Sequence, residues 1–169
     1  RLAAETRVEA ILEEAVASRA QVLVIDSIQT MQTELSESSA GSAVQVRESA
    51  ARLVRFAKAT GTAVLLIGHV TKEGLIAGPR ILEHMVDTVL YFESDPASRF
   101  RLVRAVKNRF GAANELGVFA MVEQGLREVR NPSAIFLSRH LQPVPGSVVT
   151  VVREGSRPLL VEVQALVDE

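Results

Sequence analysis

Near the start of the chain, Val8, Ile11, Leu12, Ala15 and Val16 recur at helical spacing and mark one apolar face running to about Ser18. Ahead of them, Thr6-Arg7-Val8-Glu9 has the form of a capping box, with the Thr hydroxyl accepting a first-turn N–H and Glu9 reaching back. The pattern then becomes continuous. Val22-Leu23-Val24-Ile25 is apolar throughout and closes on Asp26, which suits a strand covered on both faces in a parallel sheet. Residues 30–43 are polar and rich in Ser, Thr and Glu, a length of loop that is usually either functional or disordered. A second amphipathic helix carries Val46, Ala50, Leu53, Val54 and Ala57 on one side and stops at Gly61. Residues 63–67 and 88–92 read as two further buried strands. Strand–helix–strand order with short connections predicts an α/β domain built on a largely parallel sheet.

Beyond residue 100 the pattern changes. Residues 100–107 and 117–123 read as strands joined by a loop, and Gln124-Gly125 offers a tight turn into residues 126–129, so this part is expected to be antiparallel. Asn131-Pro132 can cap and begin a short helix ending near Leu137. Two prolines and a glycine within residues 141–146 form a linker, after which residues 147–152 and 159–167 read as strands around Glu154-Gly155-Ser156. A segment of about thirty residues cannot hold a core by itself, so it reads as the opening of a second domain. The expected organisation is a core over residues 1–140, followed by a linker and the start of another domain over residues 141–169.

Composition narrows the classes. The 169 residues are 47% hydrophobic and 23% charged, ordinary for a globular protein. No apolar run approaches a bilayer span and nothing reads as a signal peptide, so no membrane association is expected. With no cysteine, a disulfide scaffold, a thiolate zinc site and a cysteine nucleophile are excluded, and a cytoplasmic location is expected. The formal net charge of −1 means that any nucleic-acid contact must come from local cations or backbone groups. Arg1 rather than Met begins the chain, which suggests a fragment or trimmed product.

Four segments carry candidate chemistry. The strand ending in Asp26-Ser27 has the shape of a Walker B motif, whose carboxylate helps to hold Mg²⁺ on a nucleotide. Many parallel strands end in Asp at a turn, so alone it leaves both readings open. Gly68-His69-Val70-Thr71-Lys72 follows the next strand, where a histidine can sense a terminal phosphate or simply be satisfied by backbone. The loop from residue 72 to residue 80 holds Lys72, Gly74, Gly78, Pro79 and Arg80, which suits phosphate contact or a solvated surface. Lys107-Asn108-Arg109-Phe110-Gly111 is the sharpest signal. If the strand runs through it, Lys107 and Arg109 share a face and form a clamp for a phosphoryl group, in the manner of an arginine finger. With Arg99, Arg101 and Arg104 upstream, a basic exposed strand is the competing reading. No G-x-x-x-x-G-K-[ST] phosphate loop is present, and His84 has no second histidine one turn away for zinc.

Taken together these segments resemble the bacterial RadA (Sms) branch of the RecA/DnaB superfamily. Val24-Ile25-Asp26-Ser27-Ile28-Gln29-Thr30 is similar to its Walker B strand. Gly68 through Gly74, Ala77-Gly78-Pro79-Arg80 and Leu82-Glu83-His84-Met85-Val86-Asp87 are similar to its sensor and second DNA-loop region. Residues 107–111 reproduce its KNRFG run, and Pro145-Gly146-Ser147 with residues 157–166 resembles the opening of its Lon-protease-like domain. The resemblance implies the C-terminal part of a RecA-like ATPase core: a mostly parallel sheet with helices, antiparallel strands at one edge, then the first Lon-like strands.

It further implies a hexameric, ATP-driven motor on single-stranded DNA that promotes branch migration of recombination intermediates alongside a RecA-type recombinase. By the same resemblance, Asp26 and Ser27 serve Mg²⁺–ATP and His69 couples nucleotide state to the DNA loops. Lys107 and Arg109 reach a neighbour's nucleotide, while Gln29, Lys72 and Arg80 face DNA. The family's zinc finger, phosphate loop and catalytic glutamate would lie upstream of Arg1, so zinc is expected only there and this chain alone is expected to hydrolyse no ATP. Two other classes compete: a non-catalytic DNA-binding or ring-assembly module, and a KaiC-like ATPase acting on a protein partner.

Overall fold

The computed structural model describes residues 1–69, 81–94, 98–135, 137 and 145–165. They fall into two compact units, Arg1–Val86 and Asp87–Glu169. Among the described residues, no helix is long and apolar enough to cross a membrane.

In the first unit, α1 (Val8–Ala17) leads into β1 (Val22–Asp26), and α2 (Ala43–Thr60) carries the chain back to β2 (Ala63–Ile67). The two strands pair in parallel, from Val22 opposite Ala63 to Asp26 opposite Ile67. The ends of α2 follow from local chemistry. The Ser42 hydroxyl accepts the Gln45 N–H at 3.2 Å, and Gly61 takes the left-handed conformation (φ 75°) while its N–H closes on Ala57. Leu53, Ala50, Val46, Ile25, Ile28 and Val8 are buried together, with Leu23, Val64 and Leu66 packed against them. Both helices serve one face of the strand pair. Val22 and Val24 on β1, and Leu65 and Ile67 on β2, lie on the other face and stay exposed, so the expected two-sided cover is met on one side only.

The start of α1 differs from the capping box expected there. Arg7 occupies the capping position and no side chain caps the helix. Instead Gln32 lies alongside: its carbonyl accepts the Val8 N–H at 2.9 Å and its N–H donates to the Thr6 carbonyl at 2.8 Å. The Thr6 N–H, which Glu9 would take in a capping box, is donated to the Glu5 carboxylate at 2.9 Å, and Glu9 makes other contacts. Its carboxylate accepts the Thr33 hydroxyl at 2.6 Å and pairs with Arg52 at 3.3 Å. The polar stretch after β1 is therefore anchored, not free: it opens with a 3₁₀ turn at Ile28–Thr30, and Met31 and Thr33 are buried.

Burial pushes the Glu9 carboxyl up, but the Thr33 hydroxyl, backbone N–H groups and Arg52 outweigh it and hold the group below the usual carboxylate range. A folded-state pKa below the unfolded one gives stability that is present above the unfolded value and lost as pH falls through the folded one. Wild type should therefore be more stable than Glu9→Gln at neutral pH, with the gap closing in acid. Urea unfolding midpoints across that range measure it, and a gap independent of pH would contradict the assignment.

The second unit is antiparallel. β3 (Thr88–Ser94), β4 (Phe100–Asn108), β5 (Leu116–Val122) and β6 (Gly125–Glu128) form a sheet in that order, and β7 (Ser147–Glu154) with β8 (Arg157–Gln164) forms a hairpin. The expected short helix after Asn131 is a 3₁₀ turn, Pro132–Ile135. Leu159 of the hairpin is buried against Leu116 and Val118 of β5. Arg104 donates to Glu93 at 3.1 Å and to Glu154 at 2.8 Å, and Glu115 takes both the N–H and the hydroxyl of Ser156 at 2.9 Å. Gly155 has φ 58°, and a Cβ there would sit 2.6 Å from the Asn114 carbonyl oxygen, so only glycine lets this turn approach so closely.

Candidate functional site

Because β1 and β2 run in parallel and in register, Asp26 and the residues after Ile67 leave the sheet at the same end. That end, beyond the carboxyl termini of the strands, is where ligands of open α/β sheets bind. The Asp26 Oδ1 and His69 Nε2 atoms stand 3.8 Å apart, with side chains 67% and 72% exposed. The Asp26–Ser27 peptide is cis. Ser27 and Ile28 turn inward and are buried, and the Thr30 hydroxyl closes the turn on the Ser27 carbonyl at 2.8 Å. Gln29 then reaches across to the segment after β2, donating its Nε2 to the His69 carbonyl at 3.0 Å, while its Oε1 is buried with no hydrogen-bond partner among the described residues. Asp26, Ser27, Gln29 and His69 are thus brought together, with Asp26 and His69 the two side chains open to solvent.

Among the described residues no group of three or more metal-ligating side chains exists. A divalent cation caged by protein alone does not fit. Mg²⁺ held mainly by phosphate oxygens and water, with one carboxylate from the protein, does fit an exposed Asp26.

The second cluster lies in the other unit. Strand β4 ends at Asn108, so Arg109 sits in the following turn and the shared face expected for Lys107 and Arg109 on a continuous strand does not arise. A bulge precedes it: Val89 faces Lys107 and Leu90 faces Ala105, leaving Val106 as the extra residue. Bulges bend a strand and re-aim its side chains, here directly before the two cations. Asn108 builds the turn. Its Oδ1 accepts the Phe110 N–H at 3.3 Å and its Nδ2 donates to the Ala112 carbonyl at 3.3 Å. A Cβ at Gly111 would lie 2.7 Å from that Nδ2 and displace it. Arg109 donates its N–H to the Asp87 carbonyl at 2.9 Å and its guanidinium to Asp87 Oδ1 at 3.2 Å. Phe110 is 81% exposed at the tip. Lys72 and Arg80 lie outside the described residues.

Reading the sequence identified Lys107 and Arg109 but missed what holds them. Asn followed three residues later by Gly is a recognisable turn signal, so the role of Asn108 was within reach. Asp87 carries no such local mark, since it lies 22 residues from Arg109 and meets it only when β3 and β4 pair.

A family model described as AAA domain matches residues 2–75. DNA repair protein RadA of Pseudomonas aeruginosa is 65% identical over 164 residues, covering 97% of this chain and 36% of its own length. The Escherichia coli protein of the same name is 58% identical over the same shares, and that of Brucella abortus is 52% identical over 98% of the chain. The chain belongs to the DNA repair protein RadA family. It spans about a third of the length of these RadA relatives (36% of the first). In fold, the crystal structure of the RadB recombinase superposes with a TM-score of 0.52 at 16% identity, covering 73% of this chain and 57% of that one. The α/β architecture, a parallel pair joined by a helix and followed by antiparallel strands, is RecA-like.

Proposed function

We propose that this chain is the nucleotide-sensing and neighbour-facing part of an ATP-driven motor that acts on single-stranded DNA in recombination and repair. The observation that carries the reading is the convergence of Asp26 and His69 at the carboxyl ends of two parallel strands. Asp26 would hold Mg²⁺ there, and the ion would supply charge neutralisation for phosphoryl transfer. Asp26 supplies one oxygen ligand on the protein side. His69 stands beside it with its backbone carbonyl tied to Gln29, so a shift of the imidazole towards a phosphate is felt in the segment after β1. Gln29, Lys72 and Arg80 contact the DNA.

Lys107 and Arg109 reach the nucleotide of the adjacent copy in a hexameric ring, and branch migration of recombination intermediates beside a RecA-type recombinase is the work performed. Residues 141–169 open a Lon-protease-like domain with a scaffolding role. The site is cytoplasmic. Without a phosphate loop in its own sequence, the 169-residue chain binds ATP weakly and turns over none.

Asp26→Asn in the full-length protein tests this directly. The side chain is exposed, so the fold should persist while single-stranded-DNA-stimulated ATP turnover falls about a hundredfold or more. Unchanged turnover in a folded variant would overturn the assignment.

A further inference from the structure

We infer that Asp87 is a positioning residue for Arg109. The inference rests on the reading that Arg109 contacts nucleotide, and adds the group that aims it. Asp87 makes two contacts with one residue: its carbonyl accepts the Arg109 N–H at 2.9 Å, and its Oδ1 accepts from the guanidinium at 3.2 Å. The first fixes where the backbone leaves β4, and the second fixes the direction of the side chain. Asp87 is itself placed by the sheet, because it immediately precedes Thr88, which pairs with Asn108. The Thr88 hydroxyl lies 3.5 Å from Asn108 Oδ1, the same oxygen that accepts the Phe110 N–H.

A strut is a poor explanation for this pair. The side chains are 63% and 42% exposed, and an ion pair so open to water adds little stability. Its geometry is also one-handed, NH1 to a single carboxylate oxygen, where a structural arginine–carboxylate pair is commonly bidentate. Among the described residues the other guanidinium N–H groups meet no hydrogen-bond acceptor, and they remain for an anion arriving from solvent. An arginine on a long stem loses rotamer freedom when it binds, and a carboxylate already bonded to its guanidinium removes part of that freedom beforehand. Asp87 thus holds the Arg109 guanidinium just beyond the end of β4, with its remaining donors for a phosphoryl group.

Two experiments test it. In the full-length protein, Asp87→Ala should lower kcat for single-stranded-DNA-stimulated ATP hydrolysis about tenfold with KM for ATP little changed, as expected when a transition-state contact is misaimed. Asp87→Asn, which keeps the acceptor oxygen, should recover most of that loss. The Asp87→Ala/Arg109→Ala double variant should be no slower than Arg109→Ala alone, since Asp87 acts only through the arginine. Multiplying losses in the double variant, or wild-type kcat in Asp87→Ala, would overturn the inference. The second readout needs no turnover. In the 169-residue chain, ¹⁵N relaxation of the Arg109 Nε–Hε group should report loss of order in Asp87→Ala and retained order in Asp87→Asn. Order unchanged in Asp87→Ala also overturns the inference, whereas lost order with full activity in Arg109→Ala would sink the nucleotide reading and leave the positioning intact.

Discussion

Arg109→Ala in the full-length protein should lower single-stranded-DNA-stimulated ATP turnover about a thousandfold, the scale set by arginine fingers in phosphoryl transfer. The protein should stay folded. The Arg109 side chain is 63% exposed, its one side-chain hydrogen bond among the described residues is to Asp87, and its backbone N–H contact with the Asp87 carbonyl survives the substitution. Loss of activity without loss of structure would therefore report chemistry. The proposal that the residue serves a neighbouring copy makes a sharper demand. Arg109→Ala protein mixed with Asp26→Asn protein should recover part of the turnover that each lacks, because some junctions in mixed rings pair an intact Asp26 with an intact Arg109. Full activity of Arg109→Ala would remove the residue from the site, and a mixture that recovers nothing would remove the neighbour.

The second large effect belongs to the core. Ile28 is fully buried between two site residues, Ser27 and Gln29, and packs in the cluster with Leu53, Val46 and Val8. Ile28→Ala removes three carbons from that contact and leaves a cavity, at a cost of about 2–5 kcal/mol. The turn it anchors carries Gln29, whose Nε2 holds the His69 carbonyl, so the damage spreads to the site as well as to stability. The chain has two compact units, so one melting temperature would blur the result. Amide exchange resolves it: protection in α2 and β1 should fall by the full amount, while β4 and β5 keep theirs. Equal loss in both units, or none in α2, would contradict this account.

How far the chain could be read in advance depended on the range of the cause. Local causes were legible. The Asp26 terminus of β1, the extent of β2 and the stop of α2 at Gly61 each follow from a few adjacent residues, and each is observed. Causes that arise only when distant segments meet were not. Thr6 and Glu9 carry the spacing of a capping box, yet the helix begins at Val8, whose N–H goes to the distant Gln32 carbonyl, and the Thr6 N–H goes to Glu5. The bulge at Val106 and the end of β4 at Asn108 depend on pairing with β3, so the same-face relation expected of Lys107 and Arg109 does not arise. The exposed face of β1 and β2 shows the same limit, since an all-apolar run states what a strand can bury but not what lies over it.

Besides the Glu115–Ser156 hydrogen bonds, the β7–β8 hairpin and the four-stranded sheet are joined by two contacts of different character. Arg104 bridges Glu93 and Glu154, and the two carboxylates hold its guanidinium above its ordinary, already high, pKa. All three side chains are partly open to water, so added electrolyte screens this part. The burial of Leu159 against Leu116 and Val118 responds the other way, because excluded salts such as sulfate strengthen apolar burial. One attachment thus loosens and the other tightens as ionic strength rises. The hairpin is held by a composite whose salt responses oppose each other, which leaves its hold on the sheet buffered against changes in the ionic surroundings.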